Sequence, residues 1–398
     1  MASKPRPTRF QDYLRPTPPE LIAFTKIFMR GVSRPTQAQA RSLEAAMYQG
    51  DPLADEWISF AADHLTPTEA RRWIELAITQ GIDQLYRPPE PLVTLFKSIE
   101  RAPLWLDEEL LRLARHTVRR SGPLGSWLLV NVALMGGYRY EGVIRPLLLT
   151  GKLSDYAPKR LADTTQFVQD VLSDGGLYQG QRGYRSIVRV RLLHAHIRYQ
   201  MNRHSEWSSE AWGAPVNQAD MLATLLLFSL SYLVTSRVMG LKFSEREALS
   251  VIHLWRYVGL LLGVEPHLIP ATEQEARRMF YLVGMTQTLA GPEAATLGRA
   301  LHEVPLRLAE NKFEQWQARA AMSIRAGISQ MFLGDEAMEH LGLPKSASRY
   351  ALWGTVPIIY ALDRARSLIP GATRLTARLG GAWQDWRSQQ LLNKSAPR

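Results

Sequence analysis

Apolar residues recur at spacings of three and four along nearly the whole chain, whereas runs that alternate apolar and β-branched residues with polar ones are scarce. The segment TPTEARRWIELAITQGI begins at a Thr66 cap, has Glu69 three residues later and ends at Gly81, as a capped helix does. The segment SEREALSVIHLWRYVGLLLGV repeats this start with Ser244 and Glu247. The pattern predicts an all-α protein of roughly a dozen or more helices.

The helical pattern changes in character at two places along the chain. Residues 1–100 are rich in proline and predict short helices, residues 101–310 hold the longest apolar helices, and residues 311–398 are more polar. Glycine and proline separate the helices, but no long linker divides the three parts. We therefore expect one compact unit, in which a core at 101–310 carries an N-terminal and a C-terminal helical cover.

One apolar run, MLATLLLFSLSYLVTS, covers residues 221–236 between Asp220 and Arg237. Because a membrane-spanning helix needs roughly 20 apolar residues, the run predicts a buried core helix and no transmembrane segment. The N-terminal segment MASKPRPTRFQDYL lacks the apolar stretch of a signal peptide. As it stands, the sequence predicts a cytoplasmic protein, or a secreted one if a leader once preceded Met1.

Composition narrows the chemistry that such a helical protein can perform. The 398 residues include no cysteine, which excludes disulfides, thiolate metal ligands, iron–sulfur clusters and covalently attached c-type haem. The formal net charge of +11 is spread along the chain, without a zinc finger or an aromatic-interleaved basic motif. We therefore expect no nucleic-acid partner, while the charge leaves open a non-enzymatic helical protein that binds an anionic partner.

The stretch RVRLLHAHIRYQM places two histidines two residues apart in a predicted helix. His194 then lies in the middle of an apolar stripe, whereas His196 lies about 200° away on the polar face. The stripe consists of Ile187, Val190, His194, Ile197 and Met201. Arg191 and Arg198 flank His194 on the shoulder of its face. The pattern fits a core histidine bonded to a backbone carbonyl, or a haem ligand with cationic partners for the haem propionates.

A second predicted helix, APKRLADTTQFVQDV, carries polar residues on its inward face. The residues at helical spacing on that face are Arg160, Thr164, Phe167 and Val171. A guanidinium and a hydroxyl thus share a mostly apolar surface, and buried polar groups need partners. Either Arg160 reaches an acid and Thr164 bonds its own helix carbonyl, or both donors face a ligand bound beside the helix.

Five segments occur in a characteristic order, namely LLLTGKL, the helix with Arg160 and Thr164, RVRLLHAHIR, WGAPVNQADMLATLLLFS and HLWRYVGLLLGVEPHLIP. Over residues 40–310 the chain thereby resembles the latex clearing proteins, or rubber oxygenases, of the MpaB-like oxygenase superfamily. The resemblance implies a globin-like helical core with one non-covalent b-type haem. It also implies cleavage of the carbon–carbon double bonds of cis-1,4-polyisoprene by dioxygen, which leaves aldehyde and ketone ends.

The same resemblance implies roles for individual side chains. His194 matches the proximal iron ligand of the family, and Arg160 and Thr164 match its distal-side arginine and threonine. We expect a second acceptor to fix the other ring nitrogen of His194. We also expect the side chains of WLLVNVAL and LLLFSLSYL to line an apolar channel for the alkene.

Two positions depart from the family pattern on the distal side. Asp163 stands directly before Thr164, where the family has a lysine, and an ionised carboxylate offers only hydrogen-bond acceptors. Ile144 stands where the family has a distal glutamate, and the nearest acid is Glu141, about one helical turn earlier. We expect Glu141, or else Asp163, to act as the base that removes an allylic proton.

Other functions remain compatible with these residues. A haem protein of the same fold can act on another hydrophobic alkene, or serve as a peroxidase or a gas sensor. A diiron or dimanganese centre needs paired Glu-x-x-His motifs, and Glu339 directly precedes His340 instead of standing three residues before it. The expected partners are therefore dioxygen and an apolar isoprenoid, and we expect a monomer.

Overall fold

The computed structural model describes residues 6–17, 29, 31–149 and 156–395 and confirms the all-α prediction. The predicted helix starts are correct, because Thr66 with Glu69 and Ser244 with Glu247 each form a reciprocal capping box. Gly81 ends its helix with φ 88°, a conformation that favours glycine. Among the described residues no strand forms, and Tyr140 meets Leu289 in an isolated β-bridge.

The described part of the chain forms nineteen helices. The eighth and ninth of them carry Arg160 and His194. The first nine are α1 Gln37–Ala46, α2 Pro52–His64, α3 Pro67–Gln80, α4 Glu90–Glu100, α5 Glu108–Arg119, α6 Gly122–Leu128, α7 Glu141–Leu149, α8 Ala157–Val171 and α9 Arg182–Met201. The remaining helices are α10 Ser209–Trp212, α11 Gln218–Leu226, α12 Glu245–Leu261, α13 Glu273–Thr286, α14 Glu293–His302, α15 Val304–Arg307, α16 Lys312–Leu333, α17 Asp335–His340, α18 Ser348–Leu368 and α19 Ala372–Ser395. A short 3-10 turn lies at Ile82–Gln84.

Two of these helices widen into π-helical turns and then continue. Helix α6 passes through the π segment Leu129–Leu134 into Met135–Gly137, and α11 passes through Leu227–Ser231 into Tyr232–Val238. The two π segments pack against each other. A π turn inserts an extra residue into the helical hydrogen-bond pattern and is frequent at functional sites. The junction of α6 and α11 is therefore a candidate ligand-binding region.

Helix α11 with its continuation, Gln218–Val238, has 21 residues and is apolar enough by composition to cross a membrane. It is longer than the apolar run of the sequence because Asn217 caps it before Asp220 and because Arg237 still lies within it. Inside the protein, 72% of its most apolar window is buried. This is the packing predicted for a core helix.

The largest apolar core joins the N-terminal helices to the central ones. Trp57 of α2 and Phe96 of α4 are fully buried in the same cluster as Ile187 of α9 and Leu222 of α11. The helices before residue 101 therefore do more than cover the core, because they contribute large buried side chains to it. The predicted division at residues 100 and 310 stays a prediction.

The C-terminal helix α19 packs against α5, α6 and α8. Gln384 donates to the carbonyl oxygen of Gly122 at 3.0 Å, and Ser388 donates to Gln166 of α8 at 2.8 Å. Gly380 of α19 lies so close to the backbone of α5 and α6 that a side chain there would collide with the Arg119 carbonyl. The C-terminal helix thus supports the outer side of α8.

Candidate functional site

His194 lies near the C-terminal end of α9, and His196 lies on the solvent side, as predicted. The His194 ring keeps some exposed surface, but its Nδ1 atom is buried and has no hydrogen-bond partner. The core-histidine alternative, in which the ring bonds a backbone carbonyl, is therefore not what the structure shows. The expected acceptor for the second ring nitrogen is also absent among the described residues.

The pKa of His194 is lowered to about 4, mainly by loss of solvent and also by the nearby Arg198 guanidinium, whereas Asp51 opposes this shift. The ring is consequently neutral at pH 7, with one ring nitrogen carrying a lone pair. A neutral imidazole is the form that binds a metal ion. Exposed His196 instead contacts Gln200 at 3.0 Å.

The buried face of α9 is rotated relative to the predicted stripe. Ile187 and Met201 are buried as predicted, but Val190 and Ile197 are only half-buried, like His194. The most buried part of the face is formed by Val188, Arg191, Leu192, Ala195 and Arg198. The two arginines therefore lie within the buried face and not on its shoulder, because each meets a carboxylate that the sequence pattern did not reveal.

Both arginines pair with α2 and its N-cap. Arg191 donates from Nε and Nη2 to the two carboxylate oxygens of Asp51, at 2.6 and 2.9 Å, and both side chains are buried. Arg198 donates from Nε to Asp55 at 2.7 Å, and burial raises the pKa of Asp55 although Arg198 opposes this. Gly263, with φ 82°, packs against the first pair, and a Cβ there would lie 2.8 Å from the Arg191 Nε. These pairs fix α9 on α2, whereas a role of Arg191 and Arg198 toward haem propionates stays a prediction.

Arg160, near the start of α8, turns inward and donates from Nη2 to the Tyr138 hydroxyl. Its guanidinium carbon lies 5.2 Å from the centre of the Tyr138 ring. Burial raises the pKa of Tyr138, although Arg160 opposes this, so the phenol keeps its proton. The Nη1 atom of Arg160 is buried without a partner. The anchor of Arg160 is thus a phenol and not the acid that the sequence allowed.

The hydroxyl of Thr164 has no hydrogen-bond partner among the described residues, whereas its neighbour Thr165 donates to the Leu161 carbonyl at 2.7 Å. The threonine that bonds its own helix carbonyl is therefore Thr165, and the Thr164 hydroxyl is free to bind a ligand. Asp163 pairs with Lys159 at 3.0 Å on the outer side of α8, where both side chains are 54% exposed. This position offers Asp163 to solvent, away from the inward face.

Helices α8 and α9 pack against each other and are joined by residues 172–181, so they form a helical hairpin. Arg160 lies about three turns before the end of α8, and His194 lies about three turns after the start of α9. The two side chains are consequently at about the same height along the hairpin. Half-buried Phe167 follows on the inward face of α8, and half-buried Val190 and Ile197 flank His194.

Glu141 begins α7 and lies in a separate network. Its Oε1 atom accepts from Arg145 at 2.8 Å and from the Trp212 indole at 3.0 Å, and the Arg145 guanidinium stacks 4.6 Å from the Trp212 ring. One oxygen of Glu141 is thus committed to joining α7 to α10. Ile144, in the position of the family glutamate, is fully buried.

The two apolar segments predicted to line a channel do meet at a cavity. Val132 and Leu227, one from each π segment, both line a space of about 200 Å³. Sequence reasoning missed Arg139 in its wall and Tyr138 beside Arg160. The signal available was the segment GGYRYEG, in which adjacent aromatic and cationic residues follow two glycines at a helix end.

These residues fit a haem better than a protein-bound metal ion. No group of three His, Asp or Glu side chains in the described ranges is placed to hold a metal ion. A haem needs a single axial protein ligand, with its other iron ligands supplied by the porphyrin. His194 offers one neutral imidazole beside half-buried apolar side chains, and Arg160 offers an unpartnered donor at the same height.

The fold and these side chains define an all-helical protein in which a neutral imidazole and a guanidinium with one unpartnered nitrogen lie at matching heights on one hairpin. Residues 119–361 match the family described as ER-bound oxygenase mpaB/B'/Rubber oxygenase, catalytic domain. Because this match covers more than half of the chain, the protein belongs to that family. Residues 150–153 of the LLLTGKL motif lie outside the described residues.

Two further comparisons agree with this assignment. The rubber oxygenase of Streptomyces sp. (strain K30) is 26% identical over 186 residues, which cover 46% of this chain and 43% of that protein. The matched part is therefore less than half of that relative's length. The structure of latex clearing protein LCP in the closed state superposes with a TM-score of 0.62 at 19% identity, covering 88% of this chain and 90% of that one. This likeness shows a shared fold.

The depressed pKa of His194 predicts how stability depends on pH. Between pH 6.5 and 4, His194 is protonated in the unfolded chain but neutral in the folded one. The free energy of unfolding therefore decreases as the pH falls through this window. We expect His194→Gln to remove about 1 to 2 kcal/mol of the loss between pH 7 and pH 5, measured by urea unfolding of the haem-free protein. Exposed His196→Gln is the matched control and should keep the parental pH dependence. Identical curves for His194→Gln and the parent would show that the ring is not buried neutral.

The Arg191–Asp51 pair predicts a large stability effect. We expect Arg191→Met to lower the free energy of unfolding by about 3 to 5 kcal/mol, because it leaves the buried Asp51 carboxylate unpaired. Arg189→Met is the control on the same helix, since its pair with Glu75 is exposed and contributes about 1 kcal/mol or less. Chemical denaturation of both variants measures this, and equal small effects would contradict the structural role.

Proposed function

We propose that this protein is a haem b-dependent oxygenase that cleaves carbon–carbon double bonds of an isoprenoid, with cis-1,4-polyisoprene as the lead substrate and aldehyde and ketone ends as products. The observation that carries the proposal is the pair of unpartnered buried atoms, His194 Nδ1 on α9 and Arg160 Nη1 on α8. Buried polar atoms without partners are rare in native proteins. A ligand between the two helices would explain both. The family membership supplies the chemical class.

The haem iron, when bound, would supply the site of dioxygen chemistry, and His194 would hold it. The chain's own contribution is orientation and charge. Arg160 is held by Tyr138 so that Nη1 points inward, and it would stabilise negative charge that develops on the reacting oxygen atoms. Thr164, one turn further along α8, would orient the same atoms through its free hydroxyl. The globin-like arrangement of the core belongs to this proposal.

Exposure favours one of the two candidate bases for the allylic proton. Glu141 remains the stronger candidate, because Asp163 is exposed and paired with Lys159. Glu141 is only slightly exposed, and its Oε1 atom is held in place by Arg145 and Trp212. We propose that Glu141 takes the proton through Oε2, the oxygen that these two donors leave free.

Haem binding is tested by the absorption spectrum of the purified protein. We expect a haem Soret band that is lost in His194→Ala and kept in His196→Ala, because His194 has a buried, unpartnered ring nitrogen and His196 is exposed. The haem content per folded chain, measured as the pyridine complex, gives the stoichiometry. A haem complement that survives in His194→Ala would exclude this residue as the ligand.

Turnover is tested separately, by oxygen uptake with an isoprenoid and by trapping carbonyl products with a hydrazine reagent. We expect Arg160→Met to keep haem and to lose about 10²-fold in rate, since one charge-stabilising donor is removed. Lys159→Met, on the outer side of the same helix, is the control and should keep the parental rate. Unchanged turnover in Arg160→Met would remove Arg160 from the mechanism.

A further inference from the structure

A second feature of the molecule is the cavity of about 200 Å³ between α6, α11, α13 and α16. Both π-helical segments border it, through Val132 and through Leu227 with Ser231. Most of the remaining wall is apolar, with Val234, Phe280 and Phe332 among its side chains. An engineered apolar cavity of about 150 Å³ binds benzene, so this space is large enough for part of an alkyl or isoprenoid chain.

One charged side chain in this wall has no partner. Arg139, in the turn between α6 and α7, is 5% exposed, and its Nε and Nη2 atoms are buried without a hydrogen-bond acceptor. No ion pair involves its guanidinium in the described part of the chain. A buried cation without a counter-charge is strongly unfavourable. The position therefore predicts an anion that is supplied from outside the chain.

The other charges near the cavity do not supply that anion. Asp220 also lines the wall, but Arg9 pairs with it through two hydrogen bonds, the shorter of 2.6 Å, and Asn217 donates to it as well. Arg9 and Asp220 cancel each other, so the wall keeps the positive charge of Arg139. The cavity therefore favours a ligand that carries a negatively charged group.

A second unpartnered donor lies in the same wall. Gln287 at the end of α13 is 5% exposed, and its Oε1 atom accepts from Arg9 at 2.7 Å. That bond fixes the amide so that the Nε2 group is the free end, and Nε2 is buried without a partner. A guanidinium and an amide N–H group together match the acceptor pattern of a carboxylate.

We propose that this cavity binds an apolar molecule with a carboxylate head group, held by Arg139 and Gln287, with its chain between the π segments of α6 and α11. The site is distinct from the groups at Arg160, because Tyr138 turns to Arg160 while the next residue, Arg139, lines the cavity. The inference goes beyond the proposed function, whose lead substrate is a neutral polymer. It does not require haem or turnover.

Calorimetric titration of the full-length protein tests the head group. Decanoate, below its micellar concentration, is expected to bind one molecule per chain, and decanol is expected to bind at least about tenfold more weakly, since it lacks the charge. The two probes share the chain length, so they separate the carboxylate from the apolar tail. Equal affinity for decanoate and decanol would overturn the proposal.

Variants test the residues. Arg139→Met is expected to weaken decanoate binding at least about tenfold while leaving decanol binding unchanged. Without ligand it should also raise the thermal midpoint, because the unpaired charge is gone, whereas a purely structural arginine would lower the midpoint. Arg278→Met, on α13 but outside the cavity wall, is the control and should bind decanoate like the parent.

If Arg139→Met does not fold, a variant that fills the cavity tests the proposal instead. Ala223→Phe fills the cavity from α11 and leaves Arg139 unsubstituted, and it should abolish the binding of both probes. Decanoate should also raise the thermal midpoint of the parent but not that of Ala223→Phe. Decanoate binding that persists unchanged in Ala223→Phe would place the ligand elsewhere and overturn the assignment. Since none of these measurements uses oxygen uptake, failure here is separate from failure of the oxygenase proposal.

Discussion

The buried ion pair between Arg191 and Asp51 is the contact on which the geometry around His194 depends. It joins the middle of α9 to the N-cap of α2, and the Arg198–Asp55 pair repeats the connection two turns further along α9. Two such anchors determine both the height and the rotation of the helix. His194 lies between them in the sequence, so the two ion pairs hold in place the segment of α9 that carries it.

Helix α8 is supported differently. Its inward face carries Arg160 and Thr164, while α19 packs on its other side and bonds Gln166 through Ser388. The C-terminal helix therefore helps to hold in place the helix that carries Arg160. Tyr138 completes this support from the end of α6, since its hydroxyl accepts from Arg160. Residues before, between and after the predicted core thus all contribute to one hairpin.

Several polar atoms of the described residues are buried without partners, and two groups of them lie at the two proposed sites. His194 Nδ1 and Arg160 Nη1 lie on the α8–α9 hairpin, whereas Arg139 and Gln287 lie in the wall of the α6–α11 cavity. Each such atom destabilises the free chain by about 1 to 3 kcal/mol. A fold tolerates this where a bound molecule restores the missing interaction. Tyr138, which bonds Arg160, directly precedes Arg139, which lines the cavity, so one short segment of the chain contributes to both sites.

Periodicity and capping motifs were enough to predict the helical class and many of the helix ends, because capping boxes and glycine stops act within one turn of the chain. The sequence also determined that His194 and His196 face different ways, since helical periodicity alone separates them by about 200°. The segments WLLVNVAL and LLLFSLSYL were predicted to line a channel for the alkene; Val132, Leu227 and Ser231 from them border a cavity, while its use by an alkene stays a prediction.

Which polar side chains have an ion-pair or hydrogen-bond partner became visible only in the tertiary structure. Arg191 meets Asp51 across 140 residues, and Arg160 meets Tyr138 across 22, and no local pattern encodes either contact. The same holds for Asp163, which a local spacing placed near Thr164 but which Lys159 holds on the outer side. A charged residue's role depends on whether an opposite charge or an acceptor reaches it through space, and that information lies in the packing of distant helices.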